Sequence, residues 1–139
     1  MLANMNMYAA LQTNGDFPDV TSPMTFVQNL GQENFNIMMD QTSGSPDPPT
    51  TGTTENFKIS GLATHPLEVA NLEFKCWLFG AQVYDEKFVP TSTQAMPGSV
   101  WTDTIPFDVP SVAPSTKYEI EVCGVDASDA QLFCMRTAF

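Results

Sequence analysis

At 139 residues, the chain is long enough for one domain with a packed core and too short for two domains of ordinary size. Its 16 acidic residues outnumber its 5 basic residues, and the formal net charge of −11 argues against nucleic-acid binding, which depends on clusters of Lys and Arg. No apolar run reaches the roughly 18 residues that a membrane-spanning helix needs, so we expect no transmembrane segment.

The start of the chain is interpreted separately from the rest. Residues 1–24 are expected to form an N-terminal arm or extended lead, and residues 25–139 the folded domain. Residues 1–11 are apolar but lack the basic start and the long hydrophobic region of a complete signal peptide. They fit either a mature N-terminus or the remnant of a trimmed signal peptide.

The first half of the domain has the pattern of short strands separated by turns. Across the chain, 11 prolines and 8 glycines occur at short intervals, and helical periodicity is nearly absent. Residues 44–52 form a turn-rich connector that cannot be a central strand. In the strand that follows, Phe57 and Ile59 lie on one face and Lys58 on the other. The predicted strands are residues 25–27, 34–40 and 55–60.

The second half carries the longer strands. Residues 71–83 alternate strongly and are interpreted as one long strand with apolar side chains on both faces of its second half. Pro106 interrupts the next strand, which places that strand at an edge or a bulge. The predicted strands are residues 71–83, 99–109, 117–125 and 131–137, the last two forming a hairpin around residues 126–129. About seven strands with regular turns predict an all-β, immunoglobulin-like β-sandwich of two antiparallel sheets.

Three cysteines leave one without an intramolecular partner. If Val125 lies opposite Leu132 in the last hairpin, Cys123 lies directly opposite Cys134, close enough for a bridge at a non-hydrogen-bonded position. We therefore hypothesise a Cys123–Cys134 disulfide and a free, buried Cys76. The alternative is three reduced core cysteines in a cytosolic protein.

The sequence contains no strong motif for a catalytic site. The single histidine, His65, precedes Pro66 in a turn and has no nucleophile or orienting acid nearby. The acidic pairs at residues 85–86, 119/121 and 126/129 are interpreted as solvated surface charges, with Asp126 and Asp129 also setting the hairpin turn. The cysteine spacing does not suggest a metal site. We expect no enzyme activity and no cofactor.

The apolar composition offers a different lead. Ten Phe, eight Met, two Trp and three Tyr are a large, adaptable set for a small sandwich. Methionine fills irregular space and aromatic rings form broad apolar walls, so a pocket between the sheets is one interpretation. An ordinary filled core is the other.

Several short motifs occur in an order that resembles the ML family of lipid-recognition domains. The matching residues are Ser45-Pro46-Asp47-Pro48-Pro49, Gly52, Phe57 to Gly61, Trp77 to Gly80, Ile105-Pro106, Ala113-Pro114, Tyr118, Asp126 and Leu132-Phe133-Cys134. The likeness covers about residues 32–139. The resemblance is to the plant, fungal and protist branch of the family, whose relatives include phosphatidylglycerol/phosphatidylinositol transfer proteins and the Niemann–Pick sterol carrier. The two usual disulfides of the family are missing, because residues 25–30 and 85–98 contain no cysteine.

The resemblance implies a secreted or luminal (extracellular, vacuolar or lysosomal) protein that holds one sterol or acyl lipid between its sheets without a cofactor. The residues expected to line the lipid pocket are Phe57, Ile59, Phe74, Leu78, Trp101, Phe107, Tyr118, Ile120, Val122, Phe133 and Met135. The alternative function is a structural or interaction module that assembles into an extracellular filament, coat or adhesive layer. In that case residues 1–11 would dock on a neighbouring molecule by strand addition.

Overall fold

The computed structural model describes residues 24–110 and 118–139, and these residues form an all-β fold. The strands are β1 (Phe26–Leu30), β2 (Phe35–Ile37), β3 (Ser43–Ser45), β4 (Thr54–Ala63), β5 (Leu67–Glu68), β6 (Asn71–Leu78), β7 (Ala81–Phe88), β8 (Gln94–Ala95), β9 (Val100–Asp108), β10 (Tyr118–Val125) and β11 (Gln131–Ala138). A 3-10 turn at Met39–Gln41 follows β2. No helix in the described part of the chain is long and apolar enough to cross a membrane.

Two antiparallel sheets form the layers of the sandwich. The larger sheet has five strands in the order β1-β11-β10-β6-β7. The smaller sheet is built around β4, which pairs with β2 and β3 along one edge and with β9 along the other. Strands β5 and β8 form a separate two-stranded ribbon. The predicted two-sheet β-sandwich is therefore confirmed, with more strands than the expected seven because several are only two or three residues long.

Alternation of side chains explains how the sheets face each other. Along β9, every second residue is buried and the others are exposed, which is the period-2 pattern of a strand with one face on a core. Pro106 lies in β9, and β9 pairs only with β4 among the described strands. The prediction of an edge strand is thus confirmed. Proline suits this position because it has no backbone N–H to donate to a further strand on the other side of β9.

The interpretation of residues 71–83 as one long strand is wrong. The backbone turns at Phe79 and Gly80, which have φ angles of 53° and 78°, and the chain returns as β7. Two successive residues with positive φ match the tight turn that suits the right-handed twist of a β-hairpin. The glycine was the signal in the sequence, and the uninterrupted apolar pattern around it hid the turn.

The last hairpin forms as predicted. Asp126 organises the turn, since its carboxylate accepts hydrogen bonds from the backbone N–H groups of Ser128 (2.8 Å) and Ala130 (3.0 Å). Within the hairpin Cys123 lies opposite Cys134, as predicted. A bulge beyond Gly124 pairs Val125 with Gln131 instead of Leu132.

The hypothesis for the cysteines is also confirmed. Cys123 and Cys134 form a disulfide with a Cα–Cα distance of 4.1 Å, and Cys76 is a free, buried thiol. The disulfide lies on the outer face of the larger sheet, in a small cluster with Val125 that is separate from the main core.

The outer face of the larger sheet corrects one interpretation. Glu119 and Glu121 are not solvated surface charges, because they are only 1% and 5% exposed. Glu121 lies opposite Arg136 on β11 and accepts a hydrogen bond from its Nε at 2.8 Å, which balances the charge of both groups. Trp77 is fully buried on the same face.

Some expectations fall outside the described residues. These are the N-terminal arm at residues 1–11 and the Ala113-Pro114 motif. The boundary between arm and domain at residues 24 and 25 stays a prediction, since the described chain begins at Met24.

Candidate functional site

All eleven residues that were expected to line a pocket lie in one apolar core between the two sheets. Ten of them are buried, and Leu78 is partly buried and packed against the others. The smaller sheet contributes Phe57, Ile59, Trp101 and Phe107. The larger sheet contributes Phe74, Leu78, Tyr118, Ile120, Val122, Phe133 and Met135. Their role in holding a lipid stays a prediction.

Aromatic rings join the two sheets at one end of this core. Phe35 of the smaller sheet stacks on Phe133 of the larger sheet with ring centres 4.3 Å apart. The indole of Trp101 meets both rings edge-on, at 5.7 Å from Phe35 and 6.0 Å from Phe133. The Trp101 Nε1–H donates to the backbone carbonyl of Ser92 at 2.8 Å, so the orientation of the ring is fixed.

A second group of rings joins the sheets further along. Phe74 of the larger sheet lies 5.1 Å from Phe107 and 5.7 Å from Phe57, both of the smaller sheet. Tyr84 on β7 meets Phe74 and Phe107 edge-on, at 5.6 Å and 5.4 Å. Because β7 is at the edge of its sheet, Tyr84 is only partly buried.

The end of the sandwich beyond this second group is called here the Glu55 end. There β4 begins, β9 ends, β6 ends and β10 begins. Tyr118 stacks on Phe139 at 5.2 Å, and Phe139 also approaches Phe57 at 6.4 Å. Phe139 and Leu78 are only partly buried, so apolar surface of the core reaches solvent at this end.

Glu55 is a fully buried acid at this end. It lies on the same face of β4 as Phe57 and Ile59, since burial alternates along the strand, and it pairs in register with Phe107 of β9. Neither carboxylate oxygen of Glu55 has a hydrogen-bond partner within the described part of the chain. A buried carboxyl without a partner is costly, so Glu55 is the least compensated polar group facing the core.

The surroundings of Glu55 are tight and negatively charged. A Cβ atom at Gly44 of the adjacent strand β3 would collide with Glu55 Oε2 and with the end of the Met24 side chain, so both groups pack directly on that glycine. Asp47 lies nearby and accepts a hydrogen bond from the backbone N–H of Met24 at 3.0 Å. Burial and, secondarily, the charge of Asp47 raise the pKa of Glu55 from 4.5 to about 7.

Sequence reasoning missed Glu55 although the signal was present. Phe57 and Ile59 were assigned to one face of this strand, and the same odd-numbered spacing places Glu55 on that face. Glu55 is the first position of the strand predicted at residues 55–60, and its charge masks the apolar alternation there.

The interpretation of methionine as a lining of the interior needs correction. Of the five methionines in the described residues, only Met24 and Met135 are buried in the core. Met39 and Met96 are exposed, at 38% and 48%, and Met38 is partly exposed. Rings and branched aliphatic side chains therefore make up most of the core.

A groove of about 400 Å³ lies along the outer side of β9. Its walls include exposed Met96 and Val100 together with Gln94 and Thr102. The groove is separate from the core between the sheets, since Trp101 forms the boundary between them.

The described residues include one tight grouping of metal-ligand types, Glu121 with Cys123 and Cys134. The two sulfur atoms are bonded to each other, so neither is a thiolate ligand. His65 is exposed, and its Nδ1 lies 3.1 Å from the hydroxyl of the adjacent Thr64.

Comparison with protein-family models and with curated proteins finds no match to the chain. Among solved structures, chicken MD-1 complexed with lipid IVa matches with a TM-score of 0.54 and 12% identity over 87% of this chain and 91% of that chain. A Niemann-Pick type C2 protein from the Japanese carpenter ant matches with a TM-score of 0.42 and 14% identity, over 88% and 96% of the respective chains. The chain therefore has the β-sandwich fold of chicken MD-1.

Proposed function

We propose that the protein binds a single apolar ligand, an acyl lipid or sterol, between its two sheets. The observation that carries this proposal is the single continuous apolar core to which both sheets contribute, in a fold shared with chicken MD-1, whose structure holds lipid IVa. The eleven residues named from the sequence are proposed to surround the ligand and to exclude water from it.

Ligand entry requires the sheets to separate where rings bridge them. Moving apart two ring pairs, such as Phe57–Phe74 and Phe74–Phe107, costs roughly 1–3 kcal/mol beyond their buried area. An acyl chain that hides roughly 300 Å² of apolar surface from water gains about 7 kcal/mol. The gain exceeds this cost of separating the rings, so ring contacts between the sheets do not by themselves exclude binding. The Glu55 end is the proposed entrance, because Leu78 and Phe139 are only partly buried there.

Family and compartment follow from the same proposal. We assign the chain to the ML-type lipid binders, in the plant, fungal and protist branch, with no catalytic activity. The Cys123–Cys134 disulfide supports a secreted or luminal location, because disulfides persist in oxidising compartments.

Binding is tested by native mass spectrometry and organic extraction of the purified protein, together with uptake of the neutral probe N-phenyl-1-naphthylamine. We expect a co-purified lipid or a saturable rise in probe fluorescence. Ile120→Phe adds volume to the core and should reduce probe affinity at least tenfold, at a stability cost of about 1–3 kcal/mol. The matched control is Val89→Ala, since Val89 is 75% exposed after β7, at the end of the sandwich opposite the Glu55 end, and should leave affinity unchanged.

The ring contacts between the sheets favour a second candidate, a filled sandwich that acts as a structural or interaction module. In that case the protein carries no lipid, takes up no probe and self-associates. Sedimentation of the full chain and of a variant lacking residues 1–11 separates the two candidates. A monomer of unchanged size in both cases would exclude assembly through that segment.

A further inference from the structure

We infer that the Glu55 carboxyl is a recognition site for the polar head of the ligand, and that this head is a hydrogen-bond donor, a hydroxyl or an amine, on an otherwise apolar molecule. The inference rests on the proposed function and adds to it the chemistry of the head group. It is carried by the position of Glu55 on the inner face of β4, by its complete burial and by the absence of a partner for either oxygen within the described residues.

The part of the chain that the structure describes offers Glu55 no compensating charge or hydrogen bond. Glu121, another buried acid, is neutralised by Arg136. Lys58 lies on the exposed face of β4, opposite to Glu55, and the remaining basic residues of the described chain interact with other acids. Those interactions are Lys75 with Glu73, Lys87 with Asp129 and Arg136 with Glu121. An acid that remains unpartnered in the core is explained if its partner is the ligand.

The charge around the site determines which heads fit. Asp47 is close enough to Glu55 to raise its pKa, so the Glu55 end has a negative potential. A free fatty acid would bring a third carboxylate to this region and is disfavoured at pH values where it is ionised. A hydroxyl donates to a carboxylate oxygen, and an ammonium adds an attractive charge. A methyl ester has no donor and can gain only from burial of its chain.

Glu55 lies between the rings of the core and the partly exposed rim, where the head group of a ligand bound between the sheets would lie. Glu55 adjoins the Phe57–Phe74–Phe107 rings on its inner side and Met24 on the side of β3. A ligand whose chain replaces part of the ring contacts would therefore place its head beside the carboxyl, near the partly buried rim formed by Leu78 and Phe139.

Four ligands with the same 18-carbon chain test the inference: oleyl alcohol, oleylamine, methyl oleate and oleic acid. The affinity of each ligand is measured by its displacement of N-phenyl-1-naphthylamine from the wild-type protein at pH 8, at ligand concentrations below those at which the ligand aggregates. We expect the alcohol and the amine to bind at least tenfold more tightly than the ester, and the acid to bind most weakly.

Two variants identify the residue responsible. Glu55→Leu removes both acceptors and should bring the alcohol and the ester within about twofold of each other, while the ester keeps its wild-type affinity. Glu55→Gln keeps one acceptor oxygen without a charge, so it should retain part of the preference for the alcohol and lose the preference for the amine. The matched control is Glu33→Gln, an exposed acid in the β1–β2 turn, which should leave all four affinities unchanged.

The outcomes separate this inference from the proposed function. If none of the four ligands displaces the probe from the wild-type protein, lipid binding itself is wrong. If all four bind equally well to the wild type, or if Glu55→Leu preserves the preference for donors, lipid binding stands and the role of Glu55 is refuted.

Discussion

The burial of Glu55 predicts a dependence of stability on pH that can be worked out from the structure. In the unfolded chain its pKa is near the ordinary value of 4.5, and in the folded protein burial raises the pKa to about 7. Between these values the folded state binds more protons than the unfolded state, so the free energy of unfolding falls as pH rises. The contribution of Glu55 is fully present below pH 4.5 and is lost as pH increases through 7.

The size of the effect follows from the difference between the two pKa values. At about 1.4 kcal/mol per pH unit, the protein should lose up to roughly 3 kcal/mol between pH 4.5 and pH 8 through this residue. Glu55→Leu removes the titrating group and should be more stable than the wild type at pH 8, because the unpartnered charge is gone. At pH 4.5 the difference should be small.

Urea unfolding at several pH values measures this directly, with the fluorescence of the buried Trp77 and Trp101 as the signal. The difference in unfolding free energy between the wild type and Glu55→Leu isolates the residue, since other acids with a raised pKa, such as Glu73, are present in both proteins. Glu33→Gln serves as the exposed control. Parallel pH profiles for the wild type and Glu55→Leu would refute the assignment of a buried, uncompensated carboxyl.

Three further predictions concern the core and the cysteines. Burial raises the pKa of Cys76 to about 12, so its thiol should not react with Ellman's reagent in the folded protein at pH 8 and should react stoichiometrically in urea; a fast reaction under native conditions would contradict its burial. Replacing Cys123 and Cys134 by alanine should cost about 2–4 kcal/mol in urea unfolding, because the loop of 11 residues is no longer constrained in the unfolded state, whereas an unchanged midpoint would show that the bridge does not form. Phe133→Ala should cost about 3–5 kcal/mol, since it removes the ring that stacks on Phe35, and a loss below 1 kcal/mol would mean that this end of the core is loosely packed.

Local pattern was enough to predict most of the fold. The alternation around Phe57 and the final hairpin depends on side chains within a few residues of each other, and there the predicted faces and the Cys123–Cys134 register are correct. The hairpin between β6 and β7 was missed because strong apolar alternation continues through Phe79, and only the positive φ angles at Phe79 and Gly80 distinguish a turn from a continuous strand.

The candidate site could be predicted only in part. All eleven expected lining residues share one core, because the period-2 rule assigns each to the inner face of its strand. Whether the rings from opposite sheets touch, as Phe35 and Phe133 do, depends on the distance between the layers, and no local pattern encodes that distance. The same holds for Asp47, whose position near Glu55 results from the path of the chain between β3 and β4.

Two buried glutamates show why burial alone does not identify a functional residue. Glu121 and Glu55 are both almost completely removed from solvent. Glu121 lies opposite Arg136 in the hairpin register, so a cation from the same chain compensates its burial and its role is explained within the fold. Glu55 lies opposite Phe107, in a chain where acids outnumber bases 16 to 5, and no described cation approaches it. Within the described residues the carboxyl therefore has no compensating partner, and this contrast with Glu121 is the reason for proposing that Glu55 recognises a ligand.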